Sequence, residues 1–185
     1  MNDTLKTIFN RRSIRSFEEK QINDEDLSLI IAAGKAAPTA LNSQTWHFTV
    51  IQDQTILNDI SRINRNILLN CGVKAIEERA KDENFSNFYH APTVIIISDE
   101  EGDYADVNTA NAAENICLAA ESLGLGSCYI ASFRPALQSS NGADLRRLLK
   151  LPAGQSPKWA VALGYIKGSK PAAPACRDNN VTLLK

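Results

Sequence analysis

Arg11-Arg12-Ser13-Ile14-Arg15-Ser16-Phe17 places three arginines and two serines within one short run near the start of the chain. Arginine's planar fork matches phosphate oxygens, and serine hydroxyls add shorter contacts to a phosphate or a polyol. The plainer alternative is a solvated basic helix end meeting the helix dipole. Further along stands Ala37-Pro38-Thr39-Ala40-Leu41-Asn42-Ser43-Gln44-Thr45-Trp46-His47-Phe48. Pro38 pushes Ala37 out of the helical region, so a preceding helix stops there. Thr39, Asn42, Ser43 and Gln44 then offer several hydrogen-bonding groups in a short span. Such a loop can hold a flat polar ring edge-on, or can simply tie down its own backbone between a helix and a strand.

Other chemistries have no carrier here. There is no Ser/His/Asp arrangement, no paired-carboxylate motif and no metal-type spacing among Cys71, Cys117, Cys128, Cys176, His47 and His90. His47, inside a strand pattern, reads as structural, and His90 as a weak candidate for any role. Cys117 and Cys128 read as small core residues, and nothing beside Cys71 or Cys176 argues for a reactive thiolate. No P-loop and no G-x-G-x-x-G occurs, and Gly124-Leu125-Gly126 follows a helix pattern, the wrong context for a dinucleotide fingerprint.

The 185 residues fit one domain with a sizeable core. Lys+Arg number 20 against Asp+Glu 21, so nothing points to a nucleic-acid surface. The longest aliphatic run, Val94-Ile95-Ile96-Ile97, is far short of the roughly 20 residues a spanning helix needs. With no apolar signal core at the N-terminus, the expectation is a cytoplasmic protein without a membrane span.

These residues need elements to position them. Leu5, Ile8 and Phe9 lie on one helical face, so a helix over 4–12 delivers the arginines at its C-terminal end. Residues 14–22 carry no helix signal and read as extended. Asn23 is an N-cap followed by acidic Asp24, Glu25 and Asp26, opening a helix that ends near 36. A strand over 46–52 follows the polar loop. Residues 54–81 read as helical with a break at Cys71-Gly72. Residues 82–90 are polar but contain Phe85, Phe88 and Tyr89, which either cap the core or wall a flat substrate. A buried strand over 93–98, an acidic turn over 99–103 and a long alanine-rich helix over 105–123 come next. Then follow a strand over 127–133, a short helix over 142–150 and a last core strand over 159–166. Residues 168–185 read as an extended tail, with 181–184 able to add a short strand.

Taken in order, Arg11, Arg12, Ser13, Arg15 and Phe17, then Ala37, Pro38, Asn42, Gln44, Trp46 and Phe48, resemble the nitroreductase family of FMN-dependent NAD(P)H oxidoreductases. The resemblance extends to about Gly168 and implies an α+β fold, a mostly antiparallel central sheet flanked by helices, in an intertwined homodimer. It implies FMN as cofactor and NAD(P)H as transient donor. Hydride would pass to flavin N5 and on to a nitroaromatic, quinone or similar acceptor in ping-pong fashion. Dehalogenation, dehydrogenation, flavin breakdown, or a flavin sensor or carrier without turnover are the alternatives on the same fold. By resemblance, Arg11, Arg12 and Ser13 meet the FMN phosphate and ribityl chain. Arg15 lies toward the N1/C2=O edge, where a cation raises the reduction potential. Pro38, Thr39, Ala40 and Asn42 approach from the other subunit, and Tyr129, Ile130, Ala131 and Ser132 lie beside the ring. Arg177 reaches back to the phosphate, and one of Asn64, Asn66 or Asn70 meets the pyrimidine edge. Leu41, Phe85, Phe88 and Tyr89 are the substrate-side candidates, residues 74–90 a candidate lid, and the tail wraps the partner subunit. Departures are Thr39 for the usual serine, Thr45 for the proline before Trp46, no glycine pair or acidic residue in 130–133, and Ala175 two before Arg177.

Overall fold

Strand β2 (Thr93–Glu100) lies at the middle of the molecule because it is apolar on both faces. The computed structural model of the chain describes residues 1–175 and 180–185. Strands β1 (His47–Ile51), β2, β3 (Gly126–Ile130) and β4 (Gln155–Gly164) form an antiparallel sheet in the order β1-β2-β4-β3. Val94 and Ile96 point to one face, Ile95 and Ile97 to the other, as strand alternation requires.

Each face is covered by its own helices. On the Val94 side pack α3 (Gln54–Leu68), α6 (Arg134–Gln138) and α7 (Gly142–Leu148), with Leu57, Ile60, Ala136, Leu137 and Leu145 buried. On the Ile95 side lie α2 (Asp24–Lys35) and α5 (Ala105–Ser122), with Ile30, Ala112, Ala113, Ile116 and Ala120 buried. Helix α1 (Asp3–Asn10) buries no residue fully, and α4 (Lys74–Ala80) follows α3 after the expected break. The chain is thus α+β with helices on both faces of one sheet. No helix among the described residues is long and apolar enough to cross a membrane.

Local chemistry accounts for the boundaries. Asn2, Asn23 and Asp53 each accept a backbone N–H at the start of α1, α2 and α3. Gly34 lets α2 approach α5, since a Cβ there would lie 2.9 Å from Ile116 Cγ1. Residues 13–17 are extended and join the sheet at isolated bridges, Ser13 beside Ser127 and Phe17 beside Ile166.

Several expectations are corrected. The strand expected over 127–133 ends at Ile130, and α6, unforeseen, begins at Arg134 with Pro135 in its first turn, where a missing N–H costs nothing. Asp99 and Glu100 extend β2 instead of forming a turn, because β4 begins at Gln155 and pairs with them. The register shifts between Ile97 and Ser98, opposite Pro157, whose nitrogen cannot donate to the ladder. Residues 181–184 form no strand and are exposed.

One contact at the α6–α7 junction is very close. A Cβ on Gly142 would lie 2.1 Å from the Leu137 carbonyl oxygen, and the Gly142 N–H donates to Ser139 O at 2.8 Å. Gly142→Ala therefore has to pry the two helices apart. We expect stability to fall by about 1–3 kcal/mol and Tm by several degrees in a thermal melt. An unchanged Tm would mean that the backbone relaxes freely there.

Candidate functional site

Strand alternation sorts the arginine run. Ile14 N–H donates to Ser127 O at 2.8 Å, which docks the run on β3, and Ile14 turns into the core. Ser13 and Arg15 then project the opposite way. Arg11, Arg12, Ser13 and Arg15 line one cavity of about 530 Å³, closed by Ile8 and Phe9 of α1 and by residues 171–174 of the tail. The tail is held by Lys170, whose Nζ reaches Glu121 Oε1 at 2.6 Å and Asn10 O at 3.4 Å. A cavity of similar size, about 510 Å³, lies on α2 beside Ser28 and Lys35. It offers one cation where the first offers three, so the arginine cavity is the candidate site.

The three cations are held differently. Arg11 Nε lies 3.5 Å from Glu114 Oε1 of α5. Arg12 Nη1 donates to Arg11 O at 2.6 Å and Phe9 O at 2.8 Å, closing the end of α1, while its buried Nε has no partner among the described residues. Arg15 lies with its Cζ 5.8 Å from the Tyr89 ring centre, and the Tyr89 side chain is the main influence raising its pKa. An orphaned, buried guanidinium N–H beside further arginines and a serine suits an oxyanion, so these residues fit a phosphate-bearing cofactor.

Residues 38–42 stand elsewhere along α5 and do not line that cavity. Asn108 Oδ1 accepts Ala40 N–H at 2.9 Å, and Asn111 Nδ2 donates to Pro38 O at 3.2 Å. Asn115 Nδ2 ties Ala33 O of α2 at 3.0 Å. Asn108, Asn111 and Asn115 recur at helical spacing, so one polar row on α5 holds the loop and the helix before it. The sequence reading used this helix for its alanines and overlooked that row. Glu114 sits six residues beyond Asn108, about 9 Å along the helix axis. Helix α5 is therefore the common rail on which both motifs are mounted.

The loop is strained as well as tethered. Leu41, Asn42 and Gln44 all have positive φ, at 55°, 54° and 49°. Thr39 Oγ1 accepts Gln44 N–H at 3.2 Å, and Asn42 Oδ1 accepts Gln44 Nε2 at 2.8 Å. Leu41, a bulky residue in a left-handed conformation, is 95% exposed. Such backbone conformations persist only where the surroundings impose them.

The remaining candidates divide. Tyr129 packs on Trp159 with ring centres 5.1 Å apart, and burial pushes its hydroxyl pKa up, so it stays neutral. Ile130 faces the core, whereas Ala131 is exposed. Ser132 O accepts from the side chains of Asn64 and Asn87, at 3.0 Å for Asn87. Asn64 is fully buried and also accepts Ala136 N–H at 3.1 Å, so it is committed to its own chain, while Asn66 and Asn70 are exposed. Asn87, overlooked in the sequence, is buried, and its Oδ1 has no partner among the described residues. Phe88, expected on the substrate side, is instead a core residue packed 6.1 Å from Phe133. It belongs there because positive φ at Tyr89 and His90, 55° and 54°, turns the chain back just after it. Phe85 and Tyr89 remain partly exposed. Arg177 and Cys176 lie outside the described residues. Burial pushes the Cys117 thiol pKa up to about 12, and burial raises that of Cys128 against the pull of Arg15, Arg79 and Arg11. Both are inert core thiols, and among the described residues no group of His, Cys, Asp and Glu could hold a metal.

Comparison with known proteins agrees with this arrangement. The chain matches the Nitroreductase family over residues 8–165. It is 32% identical over 170 residues to an Archaeoglobus fulgidus protein provisionally named NADH dehydrogenase/NAD(P)H nitroreductase, covering 92% of this chain and 89% of the relative. It is 27% identical over 191 residues to the FMN reductase (NADPH) of Bacillus subtilis, covering 94% of this chain and 71% of that one. A crystal structure of a nitroreductase with bound FMN from Bacteroides fragilis superposes with a TM-score of 0.93 at 32% identity, over the whole of both chains. The fold, the ordered motifs and these likenesses together show that the chain belongs to the nitroreductase family.

Proposed function

We propose that this chain is an FMN-dependent NAD(P)H oxidoreductase that reduces nitroaromatics, quinones or related small acceptors. The observation that carries the proposal is the cavity in which Arg11, Arg12, Ser13 and Arg15 converge, with a buried Arg12 Nε that has no partner among the described residues. Relatives with the same fold are named for FMN and for NAD(P)H, which supports the same reading.

The chemistry that FMN would supply when bound is two-electron transfer between a nicotinamide donor and an acceptor that takes the donor's place. The chain's own residues supply binding, orientation and charge. Arg11 and Arg12 hold the phosphate, the Ser13 hydroxyl adds a contact, and Arg15 sets a cation toward the ring, favouring its reduced, anionic form. Arg177 would add a further phosphate contact. The end of β3 and the residues that follow it, 129–132, continue from Ser127, which is bridged to Ser13, and so run beside this edge.

The other half of the site comes from a second copy of the chain. Pro38, Thr39, Ala40 and Asn42 do not line the arginine cavity of their own subunit, and Asn108 and Asn111 tether their loop to α5. A fully exposed leucine in a tethered, strained loop is what an interface contributor looks like before its partner is seated. The exposed Leu5, Ile8 and Phe9 of α1 offer apolar surface for the same homodimer. Phe85 and Tyr89, beyond α4, wall the acceptor side, and Leu41 reaches it from the partner.

An anaerobic titration tests this. Purified protein given FMN should turn yellow, lose its oxidised-flavin absorbance with NADH or NADPH, and regain it when a nitroaromatic is added. Protein that is colourless once excess FMN has been removed by gel filtration would overturn the reading. Protein that binds FMN but is not reduced by either nicotinamide would be a carrier or sensor.

A further inference from the structure

A smaller cavity of about 200 Å³ shares Arg15 with the arginine cavity. Its walls include Arg15, Arg79, Tyr89, Phe85, Asp82 and His90. Arg79 was not singled out by any sequence motif. Its Cζ lies 5.2 Å from the Tyr89 ring centre and 5.4 Å from that of Phe85. The same Tyr89 ring holds Arg15 at 5.8 Å. One ring thus gathers two guanidinium groups into one pocket.

Neither arginine forms an ion pair among the described residues. Asp82, the one carboxylate in the wall, already accepts Asn84 N–H at 2.9 Å. The pocket is built, not incidental. Positive φ at Tyr89 and His90 aims the tyrosine ring, and His90 Nε2 is pinned 3.0 Å from Asn84 O. Helix α4 is fastened to α3 by Arg65, whose Nε donates to Ala80 O at 2.7 Å, which fixes the helix end carrying Arg79. Two like charges held against aromatic rings, with one carboxylate in the same wall, leave a net positive field.

We propose that Arg79, together with Arg15 on the same Tyr89 ring, binds a carboxylate carried by the electron acceptor. The proposal rests on the oxidoreductase reading above, because Arg15 also lines the arginine cavity and so places this pocket against the cofactor. An aromatic acid fits the chemistry: its ring packs on Phe85 and Tyr89, and its planar carboxylate meets a planar fork. The site selects acidic acceptors over neutral ones of the same shape.

The test compares isosteric pairs. The full chain, with FMN in excess, is titrated by saturation-transfer NMR with benzoate and with benzamide. We expect benzoate to bind at least about tenfold more tightly, the range of a charge-assisted hydrogen-bonded pair. Arg79→Gln should erase that preference and Arg79→Lys should retain part of it, since charge survives but the fork does not. In turnover, the ratio of kcat/KM for 4-nitrobenzoate to that for 4-nitrobenzamide should fall about tenfold in Arg79→Gln. Equal binding of benzoate and benzamide, or a preference that survives in both Arg79→Gln and Arg79→Ala, overturns the proposal. A ratio left intact while KM rises for NADPH but not for NADH also overturns it, and assigns the pocket to the phosphate of the donor. If no acceptor turns over, the oxidoreductase reading fails, and the titration alone then decides whether the anion site exists.

Discussion

Replacing Arg11 by alanine is expected to weaken FMN binding by about 10- to 100-fold, the loss of one charge-assisted pair worth about 1.5–3 kcal/mol. Arg11 Nε is engaged at 3.5 Å by Glu114 of α5, and among the described residues its terminal nitrogens make no other bond. That leaves the far side of the fork for two phosphate oxygens at once. Glu114 is 52% exposed, so water takes over when its partner goes and little stability is lost. The measurement is recovery of flavin fluorescence on dilution, against Arg11→Lys as control. Lysine keeps the charge but loses the planar fork, so its deficit should be smaller and more salt-dependent. If Arg11→Ala retains FMN as tightly as the parent, the phosphate is held elsewhere.

The largest stability effect is expected at Asn64. Its side chain donates to Ser132 O and accepts Ala136 N–H, and it is wholly buried. Asn64→Leu is close in size but leaves a buried backbone donor and a carbonyl without that partner. Each unmet group costs about 1–3 kcal/mol, although Asn87 still donates to the Ser132 carbonyl and the Ala136 N–H still reaches Phe133 O at 3.2 Å, which softens both losses. We expect about 2–4 kcal/mol in chemical denaturation at an unchanged m-value, with residues 131–136 losing amide protection first. Asn66→Ala and Asn70→Ala, both at exposed positions, should stay within about 0.5 kcal/mol of the parent. A mild Asn64→Leu would mean that the turn from β3 into α6 holds itself.

Local signals made much of the fold legible. Asn23 before three acidic residues marked the start of α2, and Cys71-Gly72 marked the gap between α3 and α4. A run of four aliphatic residues marked the central strand. Those features act through near neighbours along the chain. What the sequence concealed depends on distant partners. β4 starts early because β2 is there to pair with it, and Asp99 is buried in a strand for the same reason. Phe88 read no differently from Phe85 and Tyr89, as a core cap or a substrate wall, yet a backbone reversal after it makes it the one of the three that is fully buried.

By itself, the order of residue types determined the family-like motifs, a phosphate-suited arginine run and a polar loop, because each is a matter of adjacent side chains and a proline. Only the tertiary structure decided how they are used. It mounted both motifs on one helix through Glu114 and an asparagine row, committed Asn64 to its own backbone, and drew Arg79 and Arg15 to the same tyrosine ring. These pairings join residues tens of positions apart, and packing around the shared sheet, not spacing along the chain, brings them within reach.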